Sequence, residues 1–264
     1  MSNFHFSKKL SQQKFEYFSS REEKFFEHIL YISITLCNEN GRFLYIITYY
    51  IYMCFNDKVS LFTFSIGIIF SILLIQKGNE KYSLENKVSG IFFMFISLIQ
   101  FMDFLFWSDI HNTFGINKIT TIIGPILNVC QPTILYLIKY FYFQPDVLSF
   151  KHFNFPIAIL NVLYFGYFIS TYTNFLTNEK LLTTVKNGHL KWPWIKYQNP
   201  NYYLILFAIN IFYLFNFNYA VTLFFITYLF LFLSTTFFKY NAGELWCFFG
   251  SFIPLIMFCI SFYI

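Results

Sequence analysis

Two short sets of polar side chains lie inside otherwise apolar stretches: Gln100-x-x-Asp103-x-x-x-Trp107 and Asn128-x-x-Gln131-Pro132. On a helix, the spacings in each set place its members on one face. A carboxylate beside amides can bind an ion, relay a proton or hydrogen-bond a small solute. An ionisable side chain inside a membrane span costs about 2.5–3.5 kcal/mol on insertion scales, so Asp103 marks a functional candidate. Proline adds a second kind of polarity. Pro132 frees the carbonyl of Asn128, and Pro125, after Gly124, frees that of Thr121, so a helix here is expected to kink twice. Backbone broken at membrane depth must be buried in protein or line water. Glu244 opens a further apolar stretch beside Trp246, and Pro254 frees Gly250 in its middle. Gln100, Asp103, Asn128, Gln131 and Glu244 are therefore the candidate residues for binding a substrate or ion. The competing role is helix–helix bonding, at about 0.6 kcal/mol per interhelical hydrogen bond. Asp103 suits that role least, because Asn or Ser would bridge helices more cheaply. Asn161 and Asn210 read as isolated interhelical contacts, and Lys139 as a side chain snorkelling to the interface.

Other chemistries find little support. An intramembrane metal hydrolase needs clustered His and carboxylates, yet His5, His28, His111, His152 and His189 fall in loops or at span ends. Asp109 and His111 stand close together in a short loop and form the nearest approach to a catalytic pair. No serine or cysteine has a recognisable His and carboxylate partnership. The last apolar stretch contains no Lys, which excludes a retinal Schiff base there. Cys37, Cys54, Cys130, Cys247 and Cys259 lack metal-binding spacing and read as small apolar residues. No cofactor motif is present, and an enzyme is not the favoured reading.

The elements that must position these residues are long apolar blocks. The stretch Ala242–Ile264 carries one charged side chain, Glu244, and about 20 apolar residues at 1.5 Å each suffice to cross the hydrocarbon core. Charged residues make up 12% of the chain against about 25% in soluble domains, as expected of a chain solvated largely by lipid. The apolar pattern predicts seven spans: 59–75, 85–107, 118–143, 150–172, 202–217, 219–238 and 242–263. The 41 Phe and 21 Tyr accompany 16 Lys, 2 Arg and 4 Ala, a pattern of AT-rich codons, so most Phe are expected to be lipid-facing filler.

Residues 1–57 form a separate region, a polar tail followed by Phe25–Cys37 and Phe43–Phe55, which are short enough to be interfacial or re-entrant. Residues 58–264 form the helical membrane domain. Its one long connection, 173–201, carries Asn187-Gly188 between short β-capable runs, which predicts a two-residue hairpin on the membrane surface. Trp192 and Trp194 are expected in the headgroup belt. Seven spans leave thirteen Lys and Arg on the side of the N-terminus and five on the other, which places the N-terminus in the cytoplasm and the C-terminus opposite. An eighth span at Phe43–Phe55 would shrink this bias to eleven against seven. The net charge of +5 is spread over loops, and the Lys8–Lys24 run is interrupted by Glu16, Glu22 and Glu23, so no nucleic-acid footprint is present. Its expected partner is an anionic leaflet, at about 1 kcal/mol per Lys. No secretory signal and no N-x-[ST] sequon is visible.

The two polar sets, together with Gly188-His189-Leu190-x-Trp192-x-Trp194 and Gly243-Glu244-Leu245-Trp246-Cys247, resemble a group of uncharacterised multi-pass membrane proteins of giant DNA viruses and their protist or algal hosts. The resemblance covers about Cys54 to the end and implies a helical membrane fold, without an activity to carry over. The expected fold is all-α, a bundle of seven transmembrane helices with one short surface β-hairpin. The expected function is transporter- or channel-like, with a polar site between the second and third spans for a small solute or ion. The alternatives are a membrane scaffold or virion-membrane component and, third, an intramembrane enzyme. The lipid bilayer is the expected partner, and no cofactor is called for.

Overall fold

The computed structural model describes residues 57–143, 155–186, 189–237 and 242–263. The polar tail, the short segments up to Phe55 and the Asn187-Gly188 turn lie outside the described residues, as does the Glu244 side chain. Two antiparallel helices, α1 (Asp57–Lys77) and α2 (Ser83–Ser108), make the most extensive pairing. Asp57 in the first turn of α1 and Lys77 in its last complement the helix dipole. The turn between the helices is closed by Asn79, whose Oδ1 accepts from Lys81 N at 3.0 Å. Small residues let the two backbones approach closely. A Cβ on Gly90 would lie 2.9 Å from the Ser71 carbonyl oxygen and closer still to Ile75 Cγ1. Ser71, beside Gly90, and Ser97, beside Gly67, are fully buried in the same contact. This is the small-residue packing expected where hydrophobicity cannot drive helices together.

The stretch expected to form one twice-kinked helix is instead two helices, α3 (Ile116–Val129) and α4 (Gln131–Phe143), bent by 64° at Cys130. Pro132 supplies no N–H to the preceding turn, and the chain breaks there. Pro125 sits inside the continuous α3. The chain continues through α5 (Phe155–Asn178), strands β1 (Thr184–Lys186) and β2 (His189–Lys191), and a 3-10 turn at Pro193–Tyr197. Then come α6 (Pro200–Leu214), α7 (Phe217–Phe237), α8 (Ala242–Gly250) and α9 (Ile253–Ile260). The last expected span is thus also divided, with Pro254 in the first turn of α9 where its missing N–H does no harm.

Four described helices are long and apolar enough to cross a membrane, or five if the bent α3–α4 pair counts as one span; α6 and the α8–α9 region are shorter apolar helices. Seven spans are thus not established. The central helix is α2, with 61% of its apolar stretch buried against 22% for α5. Large apolar side chains on α5 and α7, among them Val162, Phe225 and Phe232, face outward, as surfaces do in contact with hydrocarbon. Phe is not merely outward filler: Phe92, Phe93, Phe106, Phe175 and Phe207 build the core. Strands β1 and β2 pair antiparallel with Lys186 opposite His189, so the hairpin is present and its connection is two residues long.

Candidate functional site

On α2, Gln100 and Asp103 are 3% and 2% exposed, so both point into the protein. Gln100 Oε1 accepts from Thr63 Oγ1 of α1 at 2.7 Å, while its Nε2 has no acceptor among the described residues. Gln131, at the break between α3 and α4, is fully buried. Its Oε1 accepts from the Tyr203 hydroxyl of α6, and its Nε2 has no acceptor among the described residues. Asn128 lies two residues before the break at Cys130 and is half-buried. Gln100 thus bonds toward α1 and Gln131 toward α6, while α2 packs against both α3 and α4. Glu244 belongs to α8, and its side chain is outside the described residues.

The break is held by donors from two other helices. Tyr164 of α5 donates its hydroxyl to Val129 O at 2.9 Å, and Asn210 of α6 donates Nδ2 to Pro132 O at 2.8 Å. Asn161 and Asn210 are not isolated. Each donates Nδ2 to the other's Oδ1 at 3.1 Å, a reciprocal amide pair joining α5 and α6 beside the break. Two lone Asn in separate apolar runs were the sequence signal, and Tyr164 and Tyr203 gave none among 21 tyrosines. Removing one partner leaves buried groups unsatisfied, at about 1–3 kcal/mol each, whereas removing both together costs less than the sum. Asn161→Leu and Asn210→Leu are therefore expected to show a coupling of about 1 kcal/mol in a double-mutant cycle read by unfolding in detergent. Additive losses would mean that the pair contributes nothing as a pair.

Lys139 does not need to reach the interface for a partner, because its Nζ donates to Leu214 O at the C-terminal end of α6, where a cation suits the helix dipole. Asp109 organises its own loop. Its Oδ1 accepts from Thr113 N at 2.6 Å and its Oδ2 from Ile116 N at 2.8 Å, with Phe114 and Asn117 N–H groups also directed at it. Burial raises its pKa, but these four backbone donors outweigh that and hold the carboxyl below the usual range. The turn it organises needs positive φ at Asn112 (55°) and Gly115 (77°).

The long connection is anchored at both ends by polar contacts. Asn117 Oδ1 accepts from Thr183 N at 2.9 Å while its Nδ2 donates to Thr183 O at 2.9 Å. Thr121 Oγ1 adds a contact to Thr183 Oγ1 at 2.9 Å. At the other end, Glu179 pairs with Lys196 and accepts from the Tyr197 hydroxyl at 2.7 Å. The Lys196 and Tyr197 hydrogen bonds depress the Glu179 pKa. Trp192 and Trp194, expected in the headgroup belt, are instead 4% and 2% exposed within the protein, stacked on each other at 5.3 Å. A paired indole face covers more apolar area when enclosed than at an interface, which accounts for the difference.

Among the described residues, no three His, Cys, Asp or Glu side chains gather as metal ligands would. Comparison of the chain with family models, curated proteins and solved structures found no match.

Proposed function

We propose that the chain is a multi-pass integral membrane protein that passes a small polar solute by way of the α3–α4 break. The observation that carries this reading is Gln131: fully buried at a broken helix, with half of its amide committed to Tyr203 and its Nε2 without an acceptor among the described residues. The balance of donors and acceptors also favours a class of solute. Val129 O, Pro132 O and Gln131 Oε1 each already receive a hydrogen bond, while Gln131 Nε2 is left as a buried donor. A molecule offering carbonyl or hydroxyl oxygens can accept from that N–H, which a bare cation cannot. Asp103 and Gln100, buried on the neighbouring α2, extend the polar lining in this reading.

Counting α3–α4, α6 and α8–α9 each as one crossing gives seven, with the N-terminus cytoplasmic and the C-terminus opposite by the Lys and Arg bias. The second reading is a membrane scaffold, in keeping with the resemblance to viral membrane proteins. It is favoured by the Asn161–Asn210 pair, a polar contact that is satisfied internally and joins two helices.

Purified protein in liposomes is expected to speed osmotic swelling by urea or glycerol, and Gln131→Leu to abolish this while leaving the melting temperature within a few degrees. Swelling no faster than in protein-free liposomes would favour the scaffold.

A further inference from the structure

Helices α2 and α3 pack together, yet they leave a groove of about 480 Å³ between them, open along its outer side. Its α2 wall is Leu98, Phe101, Met102 and Leu105, and its α3 wall is Ile116, Ile119, Thr120, Ile123 and Leu127. Each set recurs at helical spacing, so each is one face of its helix. The walls are stiff. The isoleucines of α3 are β-branched and restricted to one rotamer in a helix. The Phe101 ring lies against Phe64 of α1, with 5.2 Å between centroids, and against Phe104 at 6.0 Å.

No polar atom faces the groove. The Thr120 hydroxyl is turned back onto its own helix, donating to Ile116 O at 2.7 Å and to Asn117 O at 3.0 Å. An occupant must therefore be hydrocarbon, and size narrows the choice further. Ile116 to Leu127 covers about 16 Å along α3 at 1.5 Å per residue. Over that length the volume corresponds to a cross-section of about 30 Å², whereas a helix about 10 Å across fills about 80 Å². A helix from a second copy is too wide. One extended hydrocarbon chain fits, its carbons keeping about 4 Å from those of the walls.

The length also matches the setting. The groove starts at the first residue of α3, beside the Asp109 loop, and about 16 Å is half of a hydrocarbon core of about 30 Å, the depth of one leaflet. Phe114, two residues before Ile116, is 79% exposed, and Lys118, two residues after it, is also exposed. An aromatic ring and a cation thus stand at the level where headgroups lie. A chain in the groove meets protein on two sides, while one on the convex face of α5 meets it on one, so the groove gains more contacts.

We propose that the α2–α3 groove is a lipid site that seats one acyl chain of a phospholipid, drawn from the leaflet on the side of the Asp109 loop. The inference needs only that α2 and α3 stand in a membrane, and it is independent of any solute at Gln131. The full chain is reconstituted in phosphatidylcholine vesicles containing a phosphatidylcholine with a diazirine in one acyl chain, irradiated, and mapped by peptide mass spectrometry. Labelling of 98–105 and 116–127 is expected to exceed that of the outward residues Val162, Leu163 and Phe165 on α5 about tenfold. Ile123→Trp, which places an indole in the groove, is expected to cut groove labelling about fivefold and leave that of α5 unchanged. Leu98→Trp, from the opposite wall, serves should the first variant fail to fold. Equal labelling of the groove and α5 would overturn the site, since the chain there would be ordinary bilayer lipid. So would groove labelling unmoved by either substitution. A groove labelled less than α5 would overturn it as well, because a protein segment would then cover it.

Discussion

Trp194→Ala is expected to accelerate exchange of the 190–195 amides by about a hundredfold or more, the largest effect of any substitution in this connection. Removing a buried aromatic ring costs about 3–5 kcal/mol, because both transfer from water and the contacts around the cavity are lost. Each 1.4 kcal/mol is a factor of ten in an opening equilibrium. Here the loss includes the stack on Trp192 and the contacts with Phe106, Phe175 and Gly124. The effect is expected first at the hairpin, whose inward face carries this ring, and also in the melting temperature of the bundle, because the ring belongs to the common core. Exchange changed less than threefold would mean that the indole contributes little to closure.

The second large effect is expected at Gly90. Gly90→Leu forces a side chain between α1 and α2, where even a Cβ would stand 2.9 Å from the Ser71 carbonyl oxygen. That atom belongs to helix backbone and cannot rotate away, so the helices must separate along their length. Overpacking usually costs about 1–3 kcal/mol, and a backbone obstacle puts this site at the upper end or beyond. Unfolding in mixed detergent micelles should show a loss of about 3 kcal/mol, and Gly166→Leu provides the control. At Gly166, where nothing lies within 4 Å of an added Cβ, the same substitution is expected to be nearly neutral. Equal losses at both positions would refute the close approach of α1 and α2.

Much of this architecture is legible in the residues because apolar runs of fixed length have few alternatives in lipid. The helices at 57–77, 83–108, 155–178 and 217–237 follow the expected blocks, and the hairpin follows from turn chemistry at Asn187-Gly188. The division of 118–143 does not follow in the same way. Pro125 and Pro132 look alike in sequence, yet only the second breaks its helix, where Tyr164 and Asn210 stand ready to bond the adjoining carbonyls. Those donors come from residues up to 78 positions away, beyond any local pattern. The tryptophans were ambiguous for a different reason: an amphipathic ring at the end of a span suits a membrane interface and a protein core almost equally. What decided between them was space at Gly124 and Gly243, a property of assembled helices. At the candidate site, burial of Gln100, Asp103 and Gln131 agrees with the costs of placing polar groups in lipid, while the Tyr203 partner and the Asn161–Asn210 pair depend on which helices become neighbours.

The turn between α1 and α2 has a consequence for how the chain assembles. Asn79 Nδ2 donates to Ser261 O at 2.7 Å, and these residues are 182 positions apart. The α1–α2 hairpin is local in sequence and can pair soon after synthesis, at little loop-closure cost. Its turn, however, gains this partner only when α9 arrives. Early and late parts of the chain must therefore meet to finish one joint, with every intervening helix already in place or able to move aside. Such a contact is a late, slow step in folding, during which the faces awaiting α9 stay open to other chains in a crowded membrane.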